Sequence, residues 1–155
     1  MLVRPATPAD AAAVERVVAS GTRTLREVYR PTAAAIAGAR RLRSSATRLV
    51  AELADQIAGT VELVAERDVL RLFGLHVEEC YRRRGVARAL VAAVCDHARA
   101  LGLARVTLHT VKETGNVAIF ARLGFVTVDE HPDPYSISER YPQLTDVAMA
   151  YDLGQ

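Results

Sequence analysis

Three stretches in the middle of the chain alternate apolar and polar residues with a period of two. They are Thr47–Leu53, Ile57–Ala65 and Val69–Val77. Period two is the signature of a strand with one face on a core. The gaps, Ala54-Asp55-Gln56 and Glu66-Arg67-Asp68, are short enough for tight turns, so the three strands form an antiparallel meander. In the second strand Thr60, Glu62 and Val64 share one face, and Val61, Leu63 and Ala65 the other. In the third, alternation places Phe73, Leu75 and Val77 together and His76 opposite.

The period then changes. From Gly85 to Leu101 an apolar stripe runs through Val86, Ala89, Leu90, Ala93, Val94 and His97, which predicts a helix ended by Gly102. Arg105–Thr110 reads as a strand again. A helix between two strands makes them parallel neighbours joined by a right-handed crossover. Leu2–Ala6 predicts a first strand, and Thr7-Pro8-Ala9-Asp10 a helix start, with Ala11, Val14 and Val18 at helical spacing. That helix is expected to stop near Gly21, with a second short helix over Thr22–Arg30 broken at Pro31. Thr32–Ser45 fits helix and irregular chain equally. Asn116–Leu123 predicts a short helix closed by Gly124, followed by strands over Phe125–Glu130 and Asp146–Leu153. His131–Thr145 is a polar loop with three prolines. The expected fold is therefore α/β: a mixed, largely antiparallel sheet with one parallel βαβ crossover, flanked by helices. It is expected to form a single domain over residues 1–155.

Composition narrows the function classes. The chain has 155 residues, half of them hydrophobic and a quarter charged, with a net charge of +2. That charge argues for neither a nucleic-acid nor a membrane partner. Five tyrosines and three phenylalanines are the only aromatics, and none interleaves with an arginine run as a single-strand binder requires. No apolar stretch approaches the roughly 20 residues that span a bilayer. The start, Met-Leu-Val-Arg-Pro, has no charged-then-apolar secretion signal. Cys80 and Cys95 form no metal or disulfide pattern. The expectation is a cytoplasmic protein with no metal.

Basic residues are concentrated in Arg40-Arg41-Leu42-Arg43 and in Tyr81-Arg82-Arg83-Arg84-Gly85-Val86-Ala87-Arg88. The second run lies between a strand end and a helix start. Backbone N–H groups at a helix N-terminus lack intrahelical partners and carry partial positive charge, which suits a phosphate. Gly85 and Ala87 leave that backbone uncovered, and Arg82, Arg83, Arg84 and Arg88 surround it with charge-assisted donors.

The spacing Arg82-x-x-Gly85-x-Ala87 resembles the acetyl-CoA signature of the GNAT superfamily, the Gcn5-related N-acetyltransferases. Thr114-Gly-Asn116-Val-Ala-Ile-Phe120-Ala-Arg-Leu-Gly124-Phe125 resembles the Asn…Tyr-x-x-x-Gly-Phe segment of the same enzymes. The resemblance implies a direct transfer of acetyl from acetyl-CoA, as co-substrate, to a primary amine in a ternary complex. It implies that the Val69–Val77 strand splays from its parallel neighbour, and that backbone at Leu75, His76 and Val77 holds the pantetheine arm. The diphosphate would rest on Arg82, Arg83, Arg84, Gly85, Val86, Ala87 and Arg88, with Asn116 and Phe120 beside the arm. Many relatives carry a thiolate-protonating Tyr where this chain has Phe120, which cannot donate. Glu113, His109, Glu79 and Glu62 are candidates for the base, and Tyr135 for an acid or acceptor contact. A non-catalytic acyl-CoA sensor is the alternative. The acceptor is a small-molecule or protein amine, and a homodimer is compatible with the family.

Overall fold

A computed structural model describes residues 1–154. Its main sheet has seven strands in the order β1-β3-β4-β5-β6-β9-β7. In chain order the elements are β1 (Leu2–Pro5), α1 (Ala11–Arg26), β2 (Arg30–Pro31), α2 (Ala33–Arg43), β3 (Thr47–Leu53), β4 (Gln56–Glu66) and β5 (Val69–Val77). They continue with α3 (Val86–Ala100), β6 (Arg105–Val111), α4 (Asn116–Arg122), β7 (Val126–Pro132), β8 (Ser136–Ile137) and β9 (Thr145–Asp152). Among the described residues only β5 and β6 pair in parallel. The expected mixed sheet with one crossover is the fold that forms.

The N-terminal half departs from expectation. Gly21 does not end the first helix, which runs unbroken to Arg26, so there is no second helix over Thr22–Arg30. One interior glycine costs a helix only about 1 kcal/mol. Here it serves packing: a Cβ at Gly21 would collide with the Nδ1 of His76 on β5. The undecided segment after Pro31 becomes α2, where the Thr32 hydroxyl accepts from the Ala35 N–H at 3.1 Å as its N-cap. Arg30–Pro31 forms a two-residue ladder with Ser136–Ile137, so the proline-rich loop is pinned against the end of α1.

The largest core lies on one face of the sheet. Leu90, Val94 and Ala98 of α3 pack there with Leu63, Leu72, Val106, Leu108, Phe125 and Met149. The buried stripe of α3 is turned toward Val91, Cys95 and Ala98, while His97 is only half-buried. Gly59 on β4 allows this approach, because a Cβ there would meet Val86 at 2.7 Å. On the other face Val17 of α1 packs against Val50 and Ile57. A carboxylate ties the entry to α1: Asp10 accepts from the Thr7 N–H (2.7 Å) and from Arg4 (2.8 Å). The Arg4 guanidinium, followed by the Thr7 N–H, holds the Asp10 carboxyl well below the usual carboxylate range. Glu52 accepts from the same guanidinium at 2.6 Å.

Candidate functional site

The site begins where β5 leaves β6. Their ladder is three pairs long, Val69–Arg71 against Arg105–Thr107, and then the strands separate. From Leu72 to Val77, β5 has a strand partner only on the β4 side. Unpaired strand backbone of this kind accepts an extended ligand as an added strand.

A bulge shapes the open length. Thr60 pairs with His76, whereas Glu62 pairs with Phe73, so β5 carries one residue more than β4 across this interval. Gly74 absorbs it with φ +53°. The extra residue changes the facing. Phe73 does not join Leu75 and Val77 as strict alternation requires, but sits on the face of Glu62 and His76. Leu75 and Val77 pack toward the α3 core.

Past β5, a 3-10 turn (Glu79–Tyr81) leads to Arg83 at φ +63° and Gly85 at φ +81°. The first intrahelical bond of α3 runs from the Ala89 N–H to the Gly85 carbonyl at 3.0 Å, so the preceding N–H groups have no helical acceptor. No side chain caps them, and nothing lies within 4 Å of a Cβ built on Gly85. Arg82, Arg83, Arg84 and Arg88 are exposed around this bare corner. Arg82 reaches the Val77 carbonyl (3.4 Å), Arg84 lies over the Tyr81 ring (5.9 Å), and Arg88 approaches the Arg122 carbonyl (3.4 Å). The Val86 side chain is 2 % exposed and belongs to the core, so only its backbone is available to a ligand.

On the α4 side, Asn116 is the first residue of its helix and not its cap. Gly115 holds that position at φ +82°, and the Thr114 hydroxyl accepts from the Asn116 N–H at 3.2 Å. Phe120 stands edge-on to Phe125 with ring centroids 5.9 Å apart, and is half-buried.

The candidate bases separate by what already occupies them. Glu113 accepts from the N–H (2.7 Å) and hydroxyl (3.0 Å) of Thr145, fastening the start of β9. Glu62, 8 % exposed, accepts from Arg48 at 2.6 Å and from both the Nε (3.2 Å) and Nη2 of Arg43. Glu79 lies exposed in the 3-10 turn. Tyr135 is 61 % exposed, and its carbonyl accepts from Thr32 at the head of α2. His109 differs. It stands two residues beyond the last β5–β6 pair, and the sheet register gives it the same face as Thr107 and Arg71. Its Nδ1 is 2.8 Å from Asp146 Oδ2. A carboxylate accepts there, so Nδ1 carries the proton and Nε2 is left as an acceptor.

Several site residues carry weak sequence signals. Arg71 and Arg43 place their guanidinium carbons 4.6 and 5.4 Å from the Phe73 ring centre. Gly74, an isolated glycine inside an alternating strand, is the one signal of the bulge. His76 is neutral in this surrounding. Burial pushes its pKa down to about 4, with Arg43, Arg48 and Arg26 adding to the shift and Glu62 opposing it. A concavity of about 670 Å³ lies elsewhere, along α1 between Val14, Val18 and Ala6, and meets the site at Arg48.

Known proteins share this fold. The model of the GNAT acetyltransferase family matches residues 15–125. N-acetyltransferase 8 of Rattus norvegicus is 36% identical over 109 residues, which are 66% of this chain and 47% of that protein. The match thus spans about half of that relative's length. A Salmonella typhimurium protein, yncA, solved with its cofactor acetyl-CoA, has a TM-score of 0.74 at 18% identity, over 100% of this chain and 95% of its own. The ribosomal-protein-alanine N-acetyltransferase of Brucella melitensis has a TM-score of 0.71 at 19% identity, over 98% and 99%. At these identities the two structures speak for the fold. Among the described residues no helix is long and apolar enough to cross a membrane, and no group of three or more potential metal ligands occurs.

Proposed function

The chain belongs to the GNAT acetyltransferase family, and on that premise we propose that it transfers an acetyl group from acetyl-CoA to the amine of an acceptor bound in the same cleft. One juxtaposition carries the proposal: the uncapped, glycine-led start of α3 lies directly after the free length of β5. A diphosphate on the N–H groups at Gly85–Arg88 would send its pantetheine arm along Leu75–Val77. Arginines 82, 83, 84 and 88 would supply the surrounding charge.

The chemistry then requires little. Holding amine and thioester together removes most of the entropic barrier. The amine, with a pKa of about 10.4 when lysine-like, must give up a proton before or as it attacks. We assign that role to His109, whose Nε2 is the open acceptor of an Asp-oriented imidazole. A free backbone N–H on β5 would donate to the oxyanion of the tetrahedral adduct. The adduct collapses to amide and coenzyme A thiolate. A thiolate is a weaker base and a better leaving group than an amine, so it departs without prior protonation, and Phe120 is compatible with turnover.

Two assays test this. Acetyl-CoA must raise the melting temperature, and free thiol must appear from acetyl-CoA in the presence of an acceptor amine. A second reading, an acyl-CoA sensor without transfer, draws on Phe120; it predicts the thermal shift and no thiol release with any amine.

A further inference from the structure

The α1–α2 face of the cleft is charged asymmetrically across the split. On the β5 bank stand Arg71, with Arg43 and Arg48 behind it. Their acidic partners are fewer: Glu62 serves both Arg43 and Arg48, and Glu66 is 3.5 Å from Arg71. Arg26 adds a fourth guanidinium field at His76. A Cβ on Gly74 would lie 3.0 Å from Arg43 Nη2, so that guanidinium adjoins the bulge itself. Arg71 Nε is buried and makes no hydrogen bond. A buried donor without an acceptor is unfavourable, so this guanidinium is incompletely satisfied by the protein itself.

The opposite bank, β6-β9-β7, presents a different set of groups. His109 and His131 converge on Asp146, at 2.8 and 3.2 Å. His131 also meets the Pro132 carbonyl at 3.0 Å through its other nitrogen. That bond, followed by the fields of Asp146, Asp129 and Asp133, raises its pKa. Carboxylates and an open imidazole nitrogen thus share a sheet face with a bank of guanidinium groups. Paired strands lie about 4.8 Å apart, and β5 and β6 diverge from that spacing beyond Arg71.

We propose that the acceptor is a small amine that also carries a carboxylate, an amino acid in chemical class, with its carboxylate on Arg71 and Arg43 and its amine toward His109. The inference rests on the acetyl-transfer reading and adds the substrate class. A guanidinium–carboxylate contact through the outer nitrogens of Arg71, whose side chain is partly exposed, would fix the amine near the thioester. Polycationic amines such as polyamines and aminoglycosides would meet like charge on the β5 bank.

The test compares L-methionine with L-methioninamide, spermidine and kanamycin, following thiol release from acetyl-CoA. The amide retains the amine and lowers its pKa, so without carboxylate recognition it should react faster. The expected result is kcat/KM for L-methionine at least about tenfold above the amide, with the two polycations slower still. Arg71→Gln, and separately Arg43→Gln in which Arg48 still pairs with Glu62, should bring the acid-to-amide ratio down to one or below. An amide equal to or better than the acid, or a preferred polycation, would overturn the inference and leave acetyl transfer standing. If acetyl-CoA gives no thermal shift and no amine is acetylated, the functional reading fails and the inference with it. If acetyl-CoA binds without turnover, N-acetyl-L-methionine on the coenzyme A-loaded protein decides. A further rise in melting temperature supports carboxylate recognition, and no rise overturns it.

Discussion

The molecule uses arginine in two opposite ways, one on each face of the sheet beside the β5–β6 split. At the start of α3, Arg82, Arg83, Arg84 and Arg88 are exposed and touch little besides two carbonyls and one ring. On the α1–α2 side, Arg43, Arg48 and Arg71 are half-buried and locked onto Glu62, Thr60 and Phe73. The first set is a loose sleeve around backbone donors. It tolerates exchange, because mobile surface charges each contribute little. The second set is fixed before any ligand arrives, which is what selecting one acceptor over another requires. Binding strength for the shared co-substrate is therefore expected to reside in main chain and small residues, and acceptor choice in locked side chains.

Substitutions can break this contrast. Gly85→Glu has the largest expected effect. A carboxylate against the diphosphate should weaken acetyl-CoA by about a hundredfold or more and abolish its thermal shift. The fold should lose only about 1–2 kcal/mol, the cost of a left-handed residue in otherwise open space. Arg83→Gln, by comparison, should weaken binding by less than about fivefold. Parity between the two would show that side-chain charge, not bare backbone, holds the co-substrate.

Glu62→Ala strands two half-buried guanidinium groups and should cost about 3 kcal/mol in urea denaturation. A cost near zero would mean that the α1–α2 cluster is not locked. Gly21→Ala should cost about 2 kcal/mol by driving a methyl into the His76 ring. The double variant with His76→Ala should recover most of it, because the two residues share one space.

His76 also sets a pH dependence. Its folded pKa of about 4 lies below the ordinary 6.5, so the unfolded chain binds the extra proton first. Stability should be intact above about pH 6.5 and decline as pH falls toward 4, by about 2 kcal/mol. His76→Gln should flatten that part of the curve relative to the parent. The smallest effect is that of Glu113→Gln. Loss of the Thr145 clamp should cost about 1 kcal/mol of stability, with kcat within about threefold of the parent. His109→Gln should instead lower kcat by about a hundredfold, with a changed pH–rate profile.

The two sides were also unequally legible in the amino-acid sequence. The α3 corner is local: strand, arginines, Gly85 and helix follow one another, and local order is what periodicity and small residues report. The strands, the crossover and the short α4 follow from the same kind of signal. The α1–α2 side is assembled from residues distant in the chain. Nothing in Arg40-Arg41-Leu42-Arg43 says that Arg43 alone turns in to Glu62. Strict alternation misplaces Phe73 because the bulge at Gly74 shifts the count by one. Gly21 reads as a helix stop because its reason for being glycine, the His76 ring, lies 55 positions away on another element. The start of α4 at Asn116 is legible, whereas the αL glycine and Thr114 hydroxyl that precede it are not.

A crystal structure of the protein with acetyl-CoA tests the central claim most directly. It should show the diphosphate on the backbone N–H groups at Gly85–Arg88 and the pantetheine arm paired to β5 between Gly74 and Val77. The acetyl carbon should lie in the split, facing His109. A diphosphate bound elsewhere, or that corner filled by the chain's own arginines while acetyl-CoA is present, would contradict it.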